Sequence, residues 1–135
     1  MILSDVRELI VSLGIAVEQN CYDGKLDNKK DKSIGSYHLK RDGRAHIPLG
    51  GRKNAKYDEY PASILVHWTK KSVESEQAAI QVYETLAAVR DVQLKNVKVN
   101  FIKMLVPQPV YVETDSKGVH EYVIEVLVFC ERKCE

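Results

Sequence analysis

The chain has 135 residues, of which 44% are hydrophobic and 29% charged, which fits one domain around a single core and excludes wholesale disorder. No apolar run approaches the roughly 18 residues needed to cross a bilayer, so no membrane partner is expected. The net charge of +1 conceals a division: residues 25–56 carry ten basic side chains against Asp27, Asp31 and Asp42, a net +7, and the other ten basic and sixteen acidic residues leave −6. Such polarity steers an anionic partner or joins copies head to tail.

Residues 4–13 read as a short helix. Ser4 can cap it, Asp5 and Glu8 suit the positive end of its dipole, and Val6, Leu9, Ile10 and Leu13 form one apolar stripe. Gly14 stands where a helix commonly stops. Residues 15–22 read as a first strand, ended by Asp23-Gly24.

Residues 25–59 are rich in Lys, Gly, Asp and Asn, with scattered apolar residues. Residues 36–39 and 45–49 can form short extended pieces about a turn at Arg41-Asp42-Gly43, and Pro48 and Gly50-Gly51 interrupt any regular element. A connection this long inside a domain is commonly functional or disordered. The expectation is a basic, mobile arm or hairpin inserted within a single domain spanning 1–135.

Residues 62–69 form the next strand. Ile64, Val66 and Trp68 alternate with Ser63, Leu65, His67 and Thr69, and both sides are partly apolar, as in a strand covered on both faces. A long helix over 72–92 follows, capped by Ser72 or Ser75, with Ala79, Val82, Tyr83, Leu86 and Val89 inward. Residues 97–105 alternate as a strand that Pro107 and Pro109 end. Residues 110–113 and 119–130 flank a turn at Asp115-Ser116-Lys117-Gly118. The fold class is α+β: a mixed, mostly antiparallel sheet carrying an N-terminal helix and one long helix.

Catalytic and metal signatures do not emerge. His38, His46, His67 and His120 form no two-histidine zinc motif and no nucleophile–base arrangement. His67 alternates into a strand, where a satisfied structural role is expected. Cys130 and Cys134 supply half of a four-ligand zinc site at best. Three cysteines are too few for a disulfide framework, and the acidic N-terminal turns argue against an export signal, so a reducing cytoplasm is expected. Gly50-Gly51-Arg52-Lys53 opens no helical pattern and matches a phosphate loop poorly. No catalytic residue, metal or cofactor is nominated.

The basic segment is the strongest functional signal. Its candidate interface residues are Lys29, Lys30, Lys32, Lys40, Arg41, Arg44, Arg52, Lys53 and Lys56. One reading is contact with a nucleic-acid backbone, with Tyr22, Tyr37, Tyr57 and Tyr60 stacking on bases. A second is a solvated loop. A third is a docking arm for an acidic protein surface, including that of a neighbouring copy.

From about Pro61 onward the organisation resembles the tail terminator, or tail-completion, proteins of tailed bacteriophages, also called minor capsid or minor structural proteins. The resemblance lies first in the N-terminal helix, early strand and long variable segment. It continues through Tyr60-Pro61-Ala62-Ser63-Ile64-Leu65-Val66-His67-Trp68-Thr69 and Ala78-Ala79-Ile80-Gln81-Val82-Tyr83-Glu84-Thr85-Leu86. Pro107 to Pro109, the turn ending in Gly118, and Tyr122-Val123-Ile124-Glu125-Val126 complete it. It implies a virion structural protein, assembled in the bacterial host cytoplasm or encoded by a prophage. That protein would be a six-copy ring capping the tail tube and joining it to the head connector, with weak, non-specific DNA contact in the lumen. The alternatives are a small nucleic-acid-binding module using residues 25–56 and an enzyme for which no residues stand out.

Overall fold

The computed structural model describes residues 1–24, 31–40, 49–51, 57–115 and 117–131. The elements are α1 (Leu3–Ser12), a 3₁₀ turn (Glu18–Asn20), β1 (Cys21–Asp23), β2 (Ser33–His38), β3 (Tyr57–His67) and α2 (Ser72–Ala87), then β4 (Arg90–Gln93), β5 (Lys98–Met104), β6 (Val110–Thr114) and β7 (His120–Glu131). They build the expected α+β architecture.

The spine of the sheet is β3 against β7, antiparallel over eleven residue pairs from Tyr57↔Glu131 to His67↔Glu121. The order across the sheet is β1-β2-β3-β7-β5-β4, with β6 also on β7. β5 and β6 share one edge of β7 end to end, at Met104↔Val126 and Val110↔Val123. The segment bearing Pro107 and Pro109 steps between them, because neither proline can donate to a ladder. β1 pairs with β2 in parallel and the other ladders are antiparallel.

Alternation sends Ile34, Ala62, Ile64, Val66, Ile124, Val126, Val128 and Cys130 to one face, where all are buried. Both helices cover that face. α1 contributes Val6, Leu9 and Ile10, and α2 contributes Ala79, Val82 and Leu86, to one continuous core. Small Ala79, fully buried, lets α2 approach the strands. The Tyr83 hydroxyl donates to the Val106 carbonyl at 2.6 Å, tying α2 to the segment between β5 and β6.

The other face of the sheet carries no described helix. Its residues run in rows across the strands: Leu65, Val123 and Val110 in one, Glu59, Phe129, Phe101 and Arg90 in another. Phe101 stacks on Phe129 with ring centres 4.4 Å apart, and Tyr57 leans on the same ring at 5.8 Å.

Several boundaries differ from the sequence reading. Residues 15–22 are not one strand: the chain makes a bend and the 3₁₀ turn, and only Cys21–Asp23 pairs. Arg7 holds that turn, its guanidinium donating to the carbonyls of Cys21 at 2.7 Å and Glu18 at 3.0 Å. Ser33–His38, within the stretch expected to project, is instead an internal strand with Ser33, Ile34 and Ser36 fully buried, and Tyr57–Glu59 belong to β3. α2 stops at Ala87 with Ala88 as its cap, and the chain enters the unexpected strand β4 at Arg90, with Asp91 inside that strand at a φ of 51°. Ser4 and Ser72 lie inside their helices; the caps are Ile2 and Lys71, neither with a side-chain cap bond. Ser75 is buried instead, its hydroxyl 2.8 Å from the Lys71 carbonyl and 3.2 Å from the Thr69 N–H. The extended piece expected at 45–49 lies, apart from Leu49, outside the described residues.

Candidate functional site

Of the nine basic candidates, Lys32 and Lys40 fall among the described residues; Lys29, Lys30, Arg41, Arg44, Arg52, Lys53 and Lys56 lie outside them. Lys32 precedes β2 and Lys40 follows it, and both are exposed. Seven residues lie between them, six of them the strand Ser33–His38, which spans about 20 Å at 3.3 Å per residue. The basic charge therefore attaches at two ends of the sheet. Residues 25–32 hold four basic side chains against Asp27 and Asp31, while residues 40–56 hold six against Asp42, a net +5. Lys32 Nζ lies 3.8 Å from Glu74 Oε1, with both side chains well exposed, a contact that solvent weakens to little.

The tyrosines expected to stack on bases are occupied within the fold. The Tyr60 hydroxyl faces His38 Nδ1 at 3.4 Å, Tyr57 rests on Phe129, and the Tyr37 ring lies over Gly35, 2.7 Å from where a Cβ would stand. The fourth, Tyr22, sits in the short strand β1.

One cluster escaped the sequence reading. His67 is fully buried on the helix-free face, between two carboxylates. Its Nδ1 lies 3.2 Å from Glu121 Oε2, and its Nε2 faces Asp115 Oδ2 at 3.7 Å, beyond hydrogen-bond length. Among the described residues neither Nε2 nor Oδ2, both buried, has a hydrogen-bond partner, so one ring nitrogen of His67 is left unbonded there, where a satisfied structural histidine was expected. The other oxygen of Asp115 accepts from the N–H groups of Lys117 at 2.8 Å and Val119 at 2.9 Å. Burial raises this carboxyl, but those two N–H groups, the His67 ring and the Lys117 charge lower it by more, leaving it below its ordinary value. The cluster clasps the β6–β7 turn onto β3. Strand alternation placed His67 correctly, but a residue 48 positions away in sequence gives no signal of its approach.

Cys21 and Cys130 are free and buried. Burial is the main cause that pushes both thiols up, away from the reactive thiolate. Cys134, the other half of the loose pair, lies outside the described residues. Among the described residues no group of three or more His, Cys, Asp and Glu side chains is arranged to hold a metal ion, and no helix is long and apolar enough to cross a membrane.

Among the described residues the sheet keeps one helix-free face, and Phe101, Val110, Tyr111 and Val112 are exposed. The model of the bacteriophage tail terminator protein family matches residues 9–128, nearly the whole chain, and the chain belongs to that family. The family is a structural one of the phage virion, whose members meet other tail and head proteins. No curated protein and no solved structure matches the chain.

Proposed function

We propose that this chain caps the phage tail tube as a ring of six copies, halting tube growth and presenting the surface that meets the head connector. The family match over residues 9–128 carries this reading. Three strands support it: β1, β4 and β6 each leave a backbone edge without a described neighbour, and such edges accept strands or side chains from another chain. Segregated charge suits a heterologous contact, which closes into a ring when its rotation permits. The nine basic residues at 29–56 serve as the docking side of that contact. DNA passing through the lumen meets the ring weakly and without sequence preference. Assembly takes place in the host cytoplasm.

Gold-labelled protein mixed with purified tail tubes tests the proposal. One gold cluster at one tube end is expected, with tubes that no longer elongate on addition of tube subunits. Label spread along the tube, or none at all, overturns it.

The net +7 of residues 25–56 favours one second reading, a nucleic-acid-binding module. That reading requires affinity that falls steeply with salt and is abolished by charge reversal at Lys29, Lys30, Arg41 and Arg44. The occupied tyrosines count against base stacking as its mode.

A further inference from the structure

We infer that His67 carries a proton on each ring nitrogen in the folded chain, so that the turn joining β6 to β7 is a latch closed by a buried imidazolium and opened by base. This rests on the geometry of the clasp and holds whether or not the chain forms the ring proposed above.

Two acceptors cannot hold one another. Glu121, as a carboxylate, only accepts, so the His67 nitrogen 3.2 Å from its Oε2 is the donor, Nδ1–H. In a neutral ring Nε2 is then a bare lone pair, and it faces another acceptor, Asp115 Oδ2, at 3.7 Å. Both atoms are buried, and among the described residues neither has a hydrogen-bond partner. Each would carry its desolvation cost unrelieved. One proton on Nε2 supplies the missing donor to both at once. The contact is roughly 0.8 Å longer than a charge-assisted N–H···O bond, and a small shift of Asp115 toward the ring closes it.

The charges around the ring favour the same state. The Asp115 and Glu121 side chains are only 10% and 18% exposed, and two carboxylates this buried beside a neutral ring lack a counter-charge. Glu113 of β6, paired with Glu121, adds a third acid, and Lys117 in the turn adds a base that acts on Asp115. β2 sets the uncharged Ser33 opposite His67, and Lys32 beside it turns to Glu74. His120, next along β7, alternates to the other face, where its ring meets Tyr111. With His67 charged, two bases stand among three acids; with it neutral, one. The Asp115 carboxyl lies below its ordinary value despite the burial that raises it, and so supplies the anion that the latch requires.

Histidine is the side chain whose charge changes nearest neutral pH, which makes the ring the trigger and not either carboxylate. The direction is fixed: the proton is present in the closed latch and leaves as pH rises. Thr114↔His120 is the last pair of the β6 ladder before the turn, so opening the latch frees that end of an edge strand.

NMR of the wild-type chain with nitrogen-15 in its histidine rings tests this without any variant. At neutral pH both ring nitrogens of His67 are expected to bear a directly bonded proton and to resonate close together, whereas a neutral ring shows one bare nitrogen far downfield. The N–H groups of Lys117 and Val119, which donate to the other oxygen of Asp115, report the turn by hydrogen exchange. As pH rises from about 6 to about 9, the Nε2 proton is expected to leave. Protection at these two amides, corrected for the intrinsic effect of base, is expected to fall with it by tenfold or more, on the order of one charge-assisted hydrogen bond. The amides of Ile124 and Val126 on β7 keep their protection. A ring with a single proton at neutral pH overturns the inference. So does turn protection that stays constant while the ring titrates, or protection lost together at the turn and along β7.

Discussion

Replacing Asp115 with Asn isolates the charge of the clasp beneath the β6–β7 turn. The amide oxygen can still accept from the N–H groups of Lys117 and Val119, at 2.8 and 2.9 Å in the native protein. The charge facing His67 is lost. Hydrogen bonds to a charged acceptor contribute about 1 kcal/mol more than neutral ones, so two of them place the neutral-pH cost near 2 kcal/mol. For a chain of this size that lowers Tm by about 8 °C. The pH dependence has a definite sign. The native carboxyl sits below its ordinary value of 3.8, so the folded state binds fewer protons than the unfolded one, and stability rises with pH in that range. The contribution is complete above the ordinary value and disappears as pH falls through the lower native value. Urea denaturation of both proteins between pH 7 and pH 2.5 would therefore show a gap that is constant near neutrality and narrows below about pH 4. A gap independent of pH, or an Asn variant as stable as wild type at pH 7, would refute the assignment of that charge to the clasp.

Two further substitutions test the packing. Ile124→Ala truncates a fully buried side chain on the central strand β7, opposite Ile64, and is expected to cost about 4 kcal/mol in denaturant unfolding; a cost under 1 kcal/mol would place the core elsewhere. Tyr83→Phe removes the donor to the Val106 carbonyl, with an expected loss of about 1 kcal/mol and faster amide exchange across residues 105–109. Unchanged exchange there would show that α2 does not hold the segment.

The legible parts of the fold were those where burial and periodicity agree. Val6, Leu9 and Ile10 announced α1, and the alternation of Tyr122, Ile124, Val126, Val128 and Cys130 announced β7. Tertiary partners decided the rest. β2 carries Ser33, Gly35 and Ser36, a composition that reads as loop, and becomes a strand because β3 and β1 bracket it. β3 begins five residues earlier than its apolar run because Tyr57–Pro61 pair with β7. Pro61 is tolerated there because β2 ends opposite Ala62, so among the described residues the edge beside the proline is open. β4 hid inside the helical period of Val89 and Val92, and is a strand because Arg90 and Val92 pair with Phe101 and Val99 of β5. For the candidate site, charge division was plain in composition, whereas its split between two ends of the sheet follows from β2 being a strand. The helix-free aromatic face was hidden because its rows set β3 beside β5, β6 and β7, which follow it only after α2 and β4.

Deleting the gene from its phage and imaging the particles by electron microscopy tests the terminator role most directly. The expected particles have tail tubes of uncontrolled length and unattached heads, both corrected by the wild-type gene supplied in trans. Tails of normal length joined to full heads would contradict it.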